Sequence, residues 1–210
     1  MGEGWVSIMK ALEGGGCTEL KALDLSQNNM SSTTVTAVIR ALSSGHCRQL
    51  EELYIDNAFK DPIPFFQSIK SLRFTHMRRL DIIHASHNTN EEQFILLGEA
   101  LKAGAFPKLD ILHFSEHSIH HSLWEALEAG SCPEMREFEF ESVGFDNDSS
   151  VALASAIASG SLSKLQSFQI TEYGDDEDAS LVEVLNAMAS FCPDLRKLDL
   201  SSGFIVPTRR

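Results

Sequence analysis

Histidines cluster in the middle of this 210-residue chain. Six of the eight lie between positions 84 and 121: His84, His87, His113, His117, His120 and His121. Imidazole and carboxylate groups are common ligands of divalent metals. His84 and His113, followed one predicted strand later by Glu139, would lie in a line and are candidate metal ligands. A pH switch is a second possibility, but ordinary exposed histidines remain the favoured reading. We therefore predict no metal or other cofactor.

No catalytic motif accompanies the histidines. The sequence contains no P-loop, no G-x-S-x-G and no H-E-x-x-H. Ser86 and Ser115 fall near His84 and His113, but a Ser-His pair needs an orienting acid and an oxyanion hole to act as a nucleophile. The sequence therefore predicts a protein that is not an enzyme.

The elements that position these residues repeat along the chain. Seven times an apolar residue is followed three and five positions later by two more. The first residues of the seven triplets are Leu20, Leu50, Leu80, Leu109, Met135, Leu165 and Leu195. A fixed period near 30 residues predicts a solenoid, in which each repeat packs against its neighbours. The predicted strands lie near 20–26, 50–56, 80–86, 109–115, 135–141, 165–171 and 195–201.

A helical pattern lies between the predicted strands. Val35, Val38, Ile39 and Leu42 form one apolar face at i, i+3, i+4 and i+7. Glycines that are expected to end the helices follow the apolar helical segments at a constant distance. They are Gly45, Gly104, Gly130 and Gly160. The step of 26 residues after Leu109 predicts a shortened loop or helix near 118–122. The fold class is therefore α/β, with a parallel sheet and one helix per repeat.

The first repeat carries a family resemblance. The segment from Leu20 to Met30 reads LKALDLSQNNM and matches L-x-x-L-x-L-x-x-N-x-L at every fixed position. Together with the helical segments, it resembles the ribonuclease-inhibitor-like class of leucine-rich repeat proteins, which includes RanGAP-like and tropomodulin-like domains. The resemblance extends over residues 1–210 as one domain. Strands spaced about 4.8 Å apart beside helices about 8–10 Å apart predict a curved horseshoe with the sheet on its concave face.

The concave face is the predicted binding surface. Strand side chains alternate in direction, which places an apolar centre and an acidic rim on that face. The candidate partner-binding residues are Glu52, Tyr54, Asp56, Ile82, His84, Ile111, His113, Glu137, Glu139 and Glu141. Exposed apolar and aromatic residues favour a protein partner. The alternative is that the acidic side chains only keep an open sheet solvated.

Charge narrows the class of partner. The formal net charge is −13, which argues against nucleic acids and against anionic membrane surfaces. A basic protein is the electrostatic complement. We therefore predict a non-enzymatic protein-protein interaction module. One alternative is a subunit that docks into a larger complex through its solenoid ends. Another, implied only by the resemblance to RanGAP-like repeats, is a regulator of small GTPases.

Cysteines and hydropathy bear on location. Cys17, Cys47, Cys132 and Cys192 each precede a triplet by three residues, where other repeats have Met77, Phe106 and Leu162. Such a slot predicts buried free thiols. No apolar stretch of about 18 residues occurs, and Met1 is not followed by a signal-sequence pattern. The expected location is the cytoplasm, with the nucleus as an alternative.

Overall fold

Helices and strands alternate along the chain. The computed structural model describes residues 2–72, 74–83, 91–116, 121–142, 147–172 and 181–201. The helices in these residues are Gly2–Glu13 (α1), Ser32–Ser43 (α2), Ile63–Ile69 (α3), Glu91–Lys102 (α4), His121–Glu128 (α5), Asn147–Ala158 (α6) and Leu181–Phe191 (α7). The strands are Ala22–Asp24 (β1), Glu52–Tyr54 (β2), Arg79–Ile83 (β3), Ile111–Glu116 (β4), Glu137–Ser142 (β5), Ser167–Glu172 (β6) and Lys197–Asp199 (β7).

The seven described strands form a single parallel sheet in chain order. A helix lies between each pair of consecutive strands, and each helix packs on the next. The prediction of an α/β repeat with a parallel sheet is therefore confirmed. None of the described helices is both long enough and apolar enough to cross a membrane.

The core lies between the sheet and the helices. In β4 to β6 the residues Leu112, Phe138 and Phe168 occupy equivalent positions and are buried. The Phe138 and Phe168 rings stack with centroids 5.9 Å apart. Each large side chain packs against its counterpart in the neighbouring repeat. The buried apolar surface therefore continues from one repeat to the next, as expected for a solenoid.

The third repeat differs from the predicted register. Leu80 pairs with Leu53, so Leu80 is the second apolar residue of its triplet, and Met77 is the first. Ile82 is then the third, and its side chain is fully buried (0% exposed). The prediction that Ile82 lies on the binding face is wrong, because a shift of three residues reverses which side chains point outward. β3 ends at Ile83, and residues 84–86 of the predicted strand lie outside the described residues.

Aromatic packing supports the corrected register. Phe74, three residues before Met77, stacks on Phe106 with ring centroids 5.2 Å apart and planes 2° apart. Phe74 therefore fills the slot that the sequence pattern assigned to Met77. The offset from Glu52 to Arg79 is 27 residues, and that from Arg79 to Ile111 is 32. The shorter offset is accommodated by α3, which has only seven residues.

Helix ends follow the sequence pattern closely. Gly45, Gly104, Gly130 and Gly160 have φ of 77°, 72°, 74° and 80°, so the predicted left-handed helix stops are confirmed. In the repeat with the 26-residue step, α5 has eight residues, against twelve in α4 and in α6. The shortening therefore falls on the helix side of the stack, as predicted; residues 117–120 lie outside the described residues.

Three of the four cysteines occupy buried slots. Cys47, Cys132 and Cys192 are buried free thiols, whereas Cys17 is exposed. The prediction of burial is wrong for Cys17, because it belongs to the first described repeat and no earlier strand packs over it. Burial raises the pKa of the Cys132 thiol to about 12, which keeps it protonated and unreactive at neutral pH.

Candidate protein-binding face

One face of the sheet carries no helices. We call it the helix-free face and define it by the fourteen strand side chains that alternate away from the helices. They are Ala22, Asp24, Glu52, Tyr54, Arg79, Asp81, Ile111, His113, Glu137, Glu139, Ser167, Gln169, Lys197 and Asp199. Six of these side chains are carboxylates and two are cationic, so the face has the acidic character predicted for it.

A connected polar cluster occupies the centre of the helix-free face. The Arg79 guanidinium lies over the Tyr54 ring, 5.4 Å from its centroid. It also donates to Asp81 Oδ2 from Nη2 at 2.9 Å and from Nε at 3.2 Å. A planar guanidinium suits both contacts, since it stacks on an aromatic ring and forks to a carboxylate. The central cation is thus neutralised within the protein.

His113 extends this cluster toward β5. Its Nδ1 lies 2.7 Å from Asp81 Oδ1, and its Nε2 lies 3.8 Å from Glu139 Oε1. The register places Asp81 directly opposite His113, where the sequence analysis had placed His84. That placement is wrong because of the same three-residue shift in register. His84 itself lies outside the described residues. Among the described residues, no three His, Cys, Asp or Glu side chains form a group that could hold a metal ion.

Asp81 shows the electrostatic balance of the cluster. Burial alone raises the pKa of its carboxyl, but contacts with His113 and Arg79 outweigh burial, so the pKa lies below its usual value. The charged form is therefore the stable one at neutral pH. A buried carboxylate that contacts both Arg79 and His113 contributes to the stability of the sheet as well as to the character of the face.

The β2 side chains are also engaged within the protein. The Tyr54 hydroxyl donates to Glu52 Oε2 at 2.6 Å, and this bond, with burial, raises the pKa of Tyr54. Asp56 is half-buried and accepts hydrogen bonds from the side-chain amides of Gln27 and Asn57. The predicted acidic flank of Tyr54 is present, but its oxygens are partly occupied.

The β5 residues differ from this compensated centre. Glu137 is exposed and lies between Ile111 on β4 and Ser167 on β6. Glu139 lies between His113 and Gln169. Within the described part of the chain, neither glutamate pairs with a lysine or an arginine. Glu141 belongs to β5, but its side chain lies outside the described residues.

Sequence reasoning missed Arg79 and Asp81 on this face. The triplet Met77, Leu80 and Ile82 would have revealed them. The sequence pattern favoured a triplet that begins at Leu80, because Leu80 lies 30 residues after Leu50 and Met77 only 27. A row of ion pairs at the edge where the strands begin was also missed. Lys21 pairs with Glu51 at 2.9 Å, and Arg78 pairs with Asp110. These pairs join neighbouring repeats beside the face, and neither of them involves a carboxylate of β5.

Three surface clefts lie near the first two helices of the described structure. Two of them lie between α1 and the start of α2 and are lined by residues such as Lys10, Ser31 and Thr34. The third is lined by Trp5, whose indole donates to Asn28 Oδ1 at 3.2 Å.

The fold and the face together define an α/β repeat protein whose parallel sheet presents an acidic surface on one side. No protein-family model matches the chain, and no curated protein matches it.

Proposed function

We propose that the protein is a leucine-rich-repeat-type interaction module, not an enzyme, that binds a basic protein through its helix-free face. In this proposal the stack is a curved horseshoe of the ribonuclease-inhibitor-like class, and the helix-free face is its concave side. The observation that carries the proposal is the difference between β5 and the strands beside it. The carboxylates of β2 and β3 are engaged by Tyr54 and Arg79, while Glu137 and Glu139 have no lysine or arginine partner among the described residues.

The surroundings of these glutamates favour a basic side chain. Ile111, half-buried, lies beside Glu137 and offers an apolar surface to the methylene groups of a lysine or arginine. Ser167, on the other side, offers a hydroxyl group, while the side-chain oxygen of Gln169 already accepts from Lys197 Nζ at 3.0 Å. The net charge of −13 would also accelerate the approach of a basic partner.

Charge reversal on β5 tests the proposal. The variant is Glu137→Lys/Glu139→Lys/Glu141→Lys, and the matched control is Glu19→Lys/Glu183→Lys/Asp194→Lys, which changes exposed residues away from the face. Both variants change the net charge by the same amount. Binding of a fluorescent arginine-rich peptide and capture of partners from a lysate of the source cells would be measured for each.

The two variants separate local binding from bulk charge. We expect the β5 variant to lose peptide binding and its captured partner, while the control retains both with only a modest loss of affinity. Equal losses in the two variants would mean that the acidic residues serve solvation. Retention of the captured partner by the β5 variant would place the binding site elsewhere on the protein.

A further inference from the structure

The two ends of the described repeat stack differ in how their apolar residues are covered. At the first end, α1 packs on α2, and Leu23 and Leu25 of the first repeat are buried (9% and 0% exposed). At the other end, the equivalent residues Leu198 and Leu200 are 47% and 36% exposed. In the repeat just before, the same positions are fully buried. Within the described residues, the end formed by β7 and α7 therefore presents an apolar surface.

The helix of this repeat extends the surface. Phe191 at the end of α7 is 42% exposed. Val182, 53% exposed, lies nine residues earlier and therefore on the opposite side of the helix. Large apolar side chains at an uncovered sheet edge favour association with another chain. We define the α7/β7 end by Phe191, Leu198 and Leu200.

The backbone of β7 has a specific hydrogen-bonding direction. In earlier repeats the inward-facing residues donate to the following strand, as Leu25 does to Tyr54 O and Ile55 to Asp81 O, both at 2.9 Å. The outward-facing residues bond to the preceding strand, as Lys197 does to Gln166 O at 3.0 Å. Leu198 is inward-facing, so its N–H and C=O point to the open edge. No strand follows β7 among the described residues.

We propose that a second copy of this chain pairs with the α7/β7 end about a two-fold axis at Leu198. In an antiparallel pair centred on one residue, that residue exchanges both backbone hydrogen bonds with its own copy. Leu198 has both groups directed outward, as this pairing requires. The two Leu198 side chains then lie together on the core side of a continuous sheet.

Charge complementarity supports a second copy as the occupant. The same pairing sets Lys197 opposite Asp199 of the second copy, and Asp199 opposite its Lys197. Both residues lie on the helix-free face, Lys197 exposed and Asp199 half-buried. Opposite charges facing each other across antiparallel strands stabilise the pair, whereas like charges destabilise it. The β7 sequence Lys-Leu-Asp is thus complementary to itself when reversed.

The helices agree with this arrangement. The two-fold axis sets α7 antiparallel to its copy on the helix side of the continuous sheet. Such an arrangement is isologous, with the same surface used on both chains, and it closes as a dimer without forming a filament. The β5 region of the helix-free face remains exposed, so this inference is independent of the basic-partner proposal.

Charge variants of the whole chain test the pairing. Lys197→Glu places Glu opposite Asp199, and Asp199→Lys places Lys opposite Lys197, each twice per dimer. The double variant Lys197→Glu/Asp199→Lys restores opposite charges with their positions exchanged. Mass would be measured by sedimentation equilibrium over about 1–100 µM, the range in which modest interfaces associate. Lys164→Glu, an exposed residue on another repeat, is the matched control.

We expect concentration-dependent dimers in the wild type and in the Lys164→Glu control. Each single β7 variant should weaken dimerisation by roughly tenfold, since two unfavourable pairs replace two favourable ones. The double variant should recover most of that loss. Because it contains both substitutions, recovery cannot come from an effect of either one on folding.

Three results would overturn the proposal: a wild type that stays monomeric throughout this range, a dimer insensitive to both single variants, or a double variant no better than the singles. In a monomer, hydrogen exchange at the Leu198 amide would identify the other occupant. A protected amide would assign the edge to residues 202–210 of the same chain, and a rapidly exchanging amide would leave it free.

Discussion

Asp81 lies directly opposite His113 across β3 and β4, and the two side chains approach to 2.7 Å between Oδ1 and Nδ1. This contact joins the Arg79–Tyr54 stack on one side to Glu139 on the other. The middle of the helix-free face is thus held together by contacts within the protein, while Glu137 on the next strand, β5, is exposed and pairs with no lysine or arginine among the described residues.

Removing the Asp81 charge should destabilise the protein in a pH-dependent way. The folded-state pKa of Asp81 lies below its ordinary value of 3.8, so its charge stabilises the fold above about pH 4. That contribution is lost as the pH falls through the folded-state pKa. We expect Asp81→Asn to lower the free energy of unfolding by about 1–3 kcal/mol at pH 7 and by less near pH 3, measured by urea denaturation.

Glu137→Gln is the control for this prediction, because Glu137 is on the same face but exposed. It should change the free energy of unfolding by less than about 0.5 kcal/mol at either pH. A loss in Asp81→Asn that is equal at pH 7 and pH 3 would contradict the assigned ion pairs.

The register of the third repeat can be tested by truncating two isoleucines. Ile82 is fully buried and Ile111 only half-buried. Ile82→Ala should lower the free energy of unfolding by about 2–5 kcal/mol, and Ile111→Ala by less than about 2 kcal/mol. Denaturant unfolding of both variants provides the comparison. The reverse order would favour the register that begins at Leu80.

Gly98 is expected to tolerate no side chain. A Cβ at this position in α4 would lie 2.6 Å from the backbone oxygen of Ser122 in α5. Gly98→Ala should therefore cost about 1–3 kcal/mol, because the two helices must move apart. In Gly4→Ala a Cβ meets open space, so this α1 variant should be neutral or more stable by up to about 1 kcal/mol. Thermal melting of the two variants would show whether α4 and α5 approach this closely.

The cysteines should differ in reactivity. Cys17 is exposed, while Cys132 is buried with a pKa raised to about 12. At pH 8 we expect iodoacetamide to modify Cys17 first and to leave Cys132 unmodified in the folded protein, as followed by peptide mass mapping. Unfolding in guanidinium should equalise the two rates. Rapid labelling of Cys132 under native conditions would show that its repeat opens readily.

Much of the architecture was predictable from local pattern. Side chains of a strand and of a helix point to the core at fixed intervals, so apolar spacing alone indicated alternating strands and helices of about 30 residues per repeat. The acidic β5 glutamates were also predictable, because the triplet of Met135, Phe138 and Phe140 admits one register. Glycine offsets indicated the helix ends, since a left-handed residue is required there.

The third repeat shows where local pattern is insufficient. Two triplets satisfy the apolar spacing in this repeat, one beginning at Met77 and one beginning at Leu80. Only the first lets Leu80 pack beside Leu53 while Phe74 stacks on Phe106. Choosing between them depends on neighbouring repeats that are distant in sequence. The prediction therefore placed Ile82 on the surface and overlooked Arg79 and Asp81.

By itself, the sequence determined the number of repeats, the order of strands and helices, and the acidic character of the exposed sheet, because these follow from periodicity and composition. Only the tertiary structure decided which acidic residues are neutralised within the protein and, among the described residues, which apolar side chains at the two ends of the stack are buried. Both depend on distances between side chains of different repeats. Those distances are fixed when the repeats pack together, and no single repeat contains them.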